Sequence, residues 1–327
     1  MTSFTDSSPV EAYEALYKGA FGSASTIKQT IRYAIPIITL AISFAVGRQG
    51  GLFNIGQEAQ MISAAVVALW INTTFASLPQ PVLLPLMLLG GMLASALCAV
   101  IPAVLKYFFG VNEAMLFLMM NYIAQQIIQY MLLYTPLAMP GSAASPKSIA
   151  FTVSLPMEAI YVVVAMLLIL YAVMMGRSTM GLRIRILGKN PLFAKASGIS
   201  STRVLLTSAC IGGALAGLAG LFEVIGVYGV IYSNFASGSL TYMGITAGLL
   251  GHYAPIGMLL GGLLLGAMQS GSIMLSTTTK VPGEIVSVIQ GLVMFFATVS
   301  LFAILEKRKN KGRKVKGTAN KSKEVAQ

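Results

Sequence analysis

The stretch VLLPLMLLGGMLASALCAVIPAVL, residues 82–105, contains no charged side chain. Coiled as an α-helix at 1.5 Å per residue it reaches roughly 36 Å, more than the ~30 Å of hydrocarbon in a bilayer. It lacks the charged face that a soluble surface helix carries, so its natural solvent is lipid. Apolar runs of comparable length lie on both sides of it, near 30–47, 57–76, 113–134, 158–176, 204–226, 255–276 and 284–305. A shorter run, 238–251, cannot cross alone and predicts a tilted, re-entrant or half-length helix. Such a segment is tolerated at membrane depth only where protein buries it or where it lines a cavity. The reading is an all-α, polytopic transmembrane helix bundle of about nine spans.

Composition agrees. Of 327 residues, 56% are hydrophobic and 10% charged, with a mean hydropathy of +0.79. A soluble domain carries roughly a quarter charged residues. The net charge of +12 is clustered: six of the 22 Lys and Arg lie between Arg177 and Arg203, and nine between Lys307 and Lys323. Basic residues beside apolar spans mark cytoplasmic loops, so nucleic acid is not the expected partner. Both clusters are read as cytoplasmic, which requires an even number of crossings between them. The spans from 204 to 305 supply four when 238–251 crosses with its neighbours. Counting backwards puts residues 1–29 outside as an external N-terminal segment. The bundle then occupies 30–305, its basic loop 177–203, and the basic tail 306–327 is too polar to bury itself. The tail, and so the C-terminus, is expected in the cytoplasm.

Glycine and alanine recur four residues apart at Gly213/Gly217, Gly212/Ala216/Gly220, Gly257/Gly261 and Gly262/Gly266. Small residues at this spacing let membrane helices approach closely.

Three segments carry the polar chemistry. In GGLFNIGQEAQ, residues 50–60, glycines permit a sharp turn and Phe53, Asn54, Gln57 and Glu58 precede or open a span. The segment reads as a loop entering the membrane, or as an ordinary turn with polar caps. In the second, Asn121, Gln125 and Gln129 fall at i, i+4 and i+8 and share one helix face, with Tyr122 beside them. A polar stripe is costly against lipid, so it faces the bundle interior, as a solute path or as interhelical hydrogen bonding. The third is the basic loop, where Gly188, Asn190, Pro191, Ala194, Gly198 and Ile199 frame a short helix with Pro at its start and Gly at its end. A small-sided exposed helix of this kind suits a groove on another protein. Two ionisable groups, Glu223 near a span end and His252 at a turn, read as hydrated or backbone-bonded.

No phosphate-cradling loop, zinc spacing or catalytic constellation occurs, and Cys98 and Cys210 read as small buried hydrophobes. The sequence therefore predicts no catalytic residues, metal or cofactor, and energy from a partner or an ion gradient.

These segments together resemble the branched-chain amino acid/simple-sugar class of ABC-importer inner-membrane permeases, and within it the nucleoside and simple-sugar permeases. The family's G-L-F-N-I-G-x-E-G-Q reads here from Gly51 to Gln60, with Ala59 for the usual Gly. Its N-E-x-x-x-x-L-M-x-N-Y-I-A runs from Asn112 to Ala124. Its coupling helix, N-P-x-A-A-x-x-A-G-I, is matched at Asn190, Pro191, Ala194, Gly198 and Ile199 but not at Phe193 or Ser197. PGEIVSVIQGLVMFF, residues 282–296, is similar to the family's closing helix. The family's Y-x-A-L-x-x-G-A-F-G is present as Tyr13 to Gly22, while the span that usually precedes it is not, which accounts for the external N-terminus.

The resemblance implies a multi-pass protein of the bacterial plasma (inner) membrane and import of a small polar solute, foremost a nucleoside, by alternating access. ATP would be used by a partner ABC ATPase subunit docked on 190–199. A second permease subunit would complete the path as a heterodimer, and an extracytoplasmic solute-binding lipoprotein would deliver solute. Phe53 and Tyr122 would stack on a base, with Asn54, Gln57, Glu58, Asn121, Gln125 and Gln129 meeting polar edges. A ribose-like sugar importer is the nearest alternative, and an ion-coupled secondary transporter the alternative of another class.

Overall fold

The computed structural model describes residues 9–142, 145–236, 238–279 and 284–296. The described residues form helices and two isolated β-bridges, with no named strand. In chain order the helices are α1 (Pro9–Phe21), α2 (Ala24–Gln49), α3 (Gln57–Thr74), α4 (Gln80–Phe109), α5 (Glu113–Tyr134), α6 (Met157–Arg177), α7 (Thr179–Lys189), α8 (Pro191–Ala196), α9 (Ser201–Leu221), α10 (Gly238–Leu250), α11 (Pro255–Thr278) and α12 (Glu284–Phe296). α9 runs on into a π-helical turn, Phe222–Tyr228, closed by the Gly229 N–H donating to the Val224 carbonyl at 2.9 Å.

Six of these, α2, α4, α5, α6, α9 with its π turn, and α11, are long and apolar enough to cross a membrane. The remaining expected crossings fall on α3, which opens on Gln57, Glu58 and Gln60, on the 13-residue α10, and on α12, which is described only to Phe296.

α2 is the axis of the bundle. It begins six residues before the predicted span because Ser23 and Thr26 cap it reciprocally: Ser23 Oγ accepts from Thr26 N at 3.1 Å, and Thr26 Oγ1 accepts from Ser23 N at 2.9 Å. From Ala34 to Gly47 it is buried throughout, enclosed by α9, α10 and α11. Residues 9–21, expected only as an external segment, are the helix α1, lying along α11 with the Ser270 hydroxyl donating to the Gly19 carbonyl at 2.8 Å.

The small-residue seams are where the helices approach most closely. α4 and α9 make the most extensive pairing. A β-carbon at Gly217 would lie 2.4 Å from Ser95 Cβ, and one at Gly213 2.6 Å from Ala99 Cβ. Ser95 Oγ donates to the Gly213 carbonyl at 2.5 Å across the same seam. On α11, Gly262 and Gly266 receive Ile38 and Ala34 of α2 in the same way. The outer faces of α4 and α6 expose Leu89, Leu93, Leu97, Val162, Met166 and Ile169, an apolar belt that suits lipid tails.

The two ends differ. One carries α7, α8 and the turn between α2 and α3. At the other, the 135–156 connection lies on the turn after the π segment: Ser148 N donates to the Ile231 carbonyl, Ile231 N to Ser148 Oγ, each at 2.9 Å. Thr152 bonds Asn72 Oδ1 through both its N–H and its hydroxyl.

Candidate functional site

Between α2 and α3 the chain leaves the helical path for seven residues, 50–56. Gly51 allows it, with φ +88° in the left-handed region that glycine tolerates best. The turn is buried among α2, α5 and α9, so its backbone groups must find protein partners. Asn54 and Gln60 supply the first set: each amide nitrogen donates to the other's oxygen, at 3.0 and 2.9 Å, and Asn54 Oδ1 also accepts from Gly56 N at 3.1 Å. Gln57 reaches back to α2, donating to the Leu40 carbonyl and to Ser43 Oγ, both at 2.8 Å, and Ser43 passes the chain on to the Gly212 carbonyl of α9 at 2.7 Å. Gln57 Oε1 is buried and has no protein partner among the described residues.

α5 closes the arrangement. Asn121 Oδ1 accepts from Ala59 N and Asn121 Nδ2 donates to the Ile55 carbonyl, each at 3.0 Å. One side chain thus bridges the turn and the first turn of α3. One helical turn further on, Gln125 Nε2 donates to Glu58 Oε1. At the turn's outer lip, Lys106 Nζ donates to the Gly51 carbonyl at 2.6 Å and pairs with Glu113 Oε1 at 2.7 Å.

Five of the sequence-predicted residues, Asn54, Gln57, Glu58, Asn121 and Gln125, therefore meet in one polar cluster. The other three stand outside it. Phe53 packs edge-on against Phe44 of α2, centroids 5.5 Å apart. Tyr122 is 73% exposed on α5, and Gln129 is exposed beyond Gln125. Phe53 and Tyr122 do not face each other across a shared slot within this chain. Ser43 and Lys106 belong to the cluster and were not among the predicted site residues. Lys106 was legible as the charge that ends the 82–105 run, whereas Ser43 is one hydroxyl inside another.

The basic loop is built as capped helices. Ser178 Oγ accepts from Gly181 N to start α7, and Asn190 Oδ1 accepts from Phe193 N at 3.1 Å to start α8. Pro191 takes the first helical position. Beyond α8, Gly198 adopts φ +71° and Ile199 N returns to the Ala194 carbonyl at 2.9 Å. Ala194 is buried, while Leu192 and Phe193 project outward. At the head of the loop, a β-carbon on Gly188 would lie 2.0 Å from the Gln49 carbonyl oxygen, and the Gly51 nitrogen is close by. The basic loop and the buried turn thus touch backbone to backbone.

Among the described residues no three of His, Cys, Asp and Glu converge as a metal site would need. The cluster consists of amides, carbonyls, a serine and the Glu58 carboxylate, with the Lys106–Glu113 pair at its lip. Apart from Gln57 Oε1, its donors and acceptors are spent on one another and on backbone, and they can change partners only if α2, α3 and α5 shift.

The chain is a helix bundle with membrane-length spans, a broken, polar-clasped entry to one helix and a basic loop against the break. The family model described as branched-chain amino acid transport system / permease component matches residues 26–298, and the chain belongs to that family. It is 30% identical to the nucleoside ABC transporter permease protein NupB of Lactococcus lactis subsp. cremoris, over 95% of this chain and 88% of that protein. It is 29% identical to the guanosine ABC transporter permease protein NupP of Bacillus subtilis, over 93% of this chain and 90% of that one. The glucose ABC transporter permease protein TsgB13 of Haloferax volcanii is 30% identical over 90% of this chain and 81% of its own length. No solved structure gives a significant match. The chain is a multi-pass permease subunit of an ABC importer.

Proposed function

We propose that this subunit imports nucleosides. The observation that carries the reading is the likeness along nearly the whole chain to two permeases named for nucleoside and guanosine transport. The amides of the polar cluster are paired with one another and with backbone in this state, so in this reading the 50–60 turn opens before they meet base edges and ribose hydroxyls. In this reading the path runs past Asn54, Gln57, Glu58, Asn121 and Gln125. Phe53, Tyr122 and Gln129, exposed in a single chain, face a second permease subunit across it. In this reading nine crossings put α7, α8 and the C-terminus on the cytoplasmic side of a bacterial inner membrane. A partner ATPase docks on Leu192 and Phe193 and consumes the ATP, while this chain binds no cofactor. A solute-binding lipoprotein docks at the opposite end.

Alternating access requires a two-state element that both sites bias. In this reading the 50–56 turn is that element, and the Gly188–Gln49 contact couples α7 to it. A sugar cargo is the second reading, favoured by the glucose permease among the relatives. The test is uptake into proteoliposomes holding the complete importer. ATP-dependent uptake of labelled guanosine that excess ribose or glucose leaves undiminished is expected. Sugar uptake without nucleoside uptake overturns the cargo, and uptake driven by a proton gradient without ATP overturns the class.

A further inference from the structure

At the end of the bundle opposite the basic loop, α2, the π turn, α10 and α11 leave a polar hollow between them. It is lined by Tyr33, Glu223, Tyr228, Asn234, Ser239 and Gln269 and encloses about 120 Å³. A single water needs about 10–15 Å³ by the same measure, so a pentose-sized group fits. Glu223 is only 5% exposed, and a carboxylate at such a place is expensive unless function retains it. Two ion pairs are found among the described residues, Lys18–Glu14 and Lys106–Glu113, and Glu223 is in neither. Arg32 offsets its charge from a distance, held over the Tyr33 ring at 4.5 Å. The Tyr228 hydroxyl hydrogen-bonds the carboxylate from the far end of the π turn and holds it in place, leaving its other acceptor positions for a ligand.

A carboxylate has two oxygens with about four acceptor positions. A matching ligand therefore brings adjacent hydroxyl donors, as a vicinal diol does, and two tyrosine rings beside it suit a flat or ring-shaped body. Asn234, Ser239 and Gln269 add the mixed donors and acceptors that a base or sugar edge needs. We propose that this hollow is an entry subsite for the solute, in which Glu223 accepts hydrogen bonds from the 2′ and 3′ hydroxyls of a ribose. Solute released at this end meets the hollow before it reaches the 50–60 turn. The assignment rests on the nucleoside reading above.

The experiment compares uptake of guanosine and 2′,3′-dideoxyguanosine by proteoliposomes containing the complete importer. Glu223→Gln keeps the shape and removes the charge. Guanosine uptake falls at least tenfold while dideoxyguanosine uptake stays within twofold, so the wild-type preference for the diol collapses. Tyr228→Phe removes one hydroxyl and keeps the ring, and it narrows the preference severalfold even if the first variant inserts poorly. Equal loss of both solutes in Glu223→Gln, or an unchanged preference in Tyr228→Phe, overturns the subsite while the nucleoside reading stands. Absence of guanosine uptake by the wild-type importer overturns that reading and this assignment with it.

Discussion

Replacing Asn121 by Ala removes one side chain and orphans two backbone groups, the Ile55 carbonyl and the Ala59 N–H. Hydrogen bonds between membrane helices are worth about 0.6 kcal/mol on average and up to ~1.7. Two of them give roughly 1–3 kcal/mol in favour of the closed turn. At ~1.4 kcal/mol per decade this is a fivefold to about 150-fold rise in the open population of the turn. Hydrogen exchange on the detergent-purified importer reads that population directly. Amides from 52 to 60 should exchange faster by that factor, with those of α11 unchanged, and solute uptake should fall. Gln125→Ala breaks a single bond to Glu58 and should loosen the start of α3 by less. Unchanged exchange at Ala59 in Asn121→Ala would refute the clasp. A uniform rise over the whole bundle would refute its locality.

Gly188→Ala forces a β-carbon into the Gln49 carbonyl, 2.0 Å away without relaxation. Uptake should fall at least tenfold while ATP hydrolysis persists, and equal retention of both would show the contact to be slack. Lys106→Met strips the ammonium from the Gly51 carbonyl and from Glu113. A double-mutant cycle with Glu113→Gln should return about 1 kcal/mol of coupling, read as thermal stability in detergent, since the pair is mostly buried. Additive effects would remove it as a clamp. Gly217→Leu cannot enter the α4–α9 seam against Ser95, so the yield of monodisperse protein should collapse, and a normal yield would displace that seam.

Much of this architecture was legible in the chain. Runs such as 82–105 became helices because nothing else satisfies a backbone in lipid. The short 238–251 run is α10, almost residue for residue. Small residues at 213/217 and 262/266 mark real seams, and Pro191 with Gly198 framed α8. What was hidden depends on tertiary company. The Asn121 stripe predicted an inward face, but not that both ends of its amide would be given to backbone rather than left toward a path. Glu223 looked hydrated near a span end, and only the fold shows α2 and α10 closing over it. Residues 9–21 read as polar and mixed, because the α11 face that α1 lies along is distant in sequence. His252 was read as solvated or backbone-bonded, and its Nδ1 lies 3.1 Å from the Leu250 carbonyl.

The π turn has a consequence for how α9 tolerates change. In an α-helix, positions five apart stand about 140° apart around the axis, so Glu223 and Tyr228 would look in different directions. Widening the turn to i→i+5 bonding brings the acid and the phenol round to one side. Deleting one residue between them would restore the tighter coil and leave the two groups four positions apart, about 40° around the axis and still on one side. A single-residue deletion here should therefore be better tolerated than one in the regular stretch of α9, where it rotates everything beyond it by about 100°, an asymmetry that a length-scanning library across 201–228 would display.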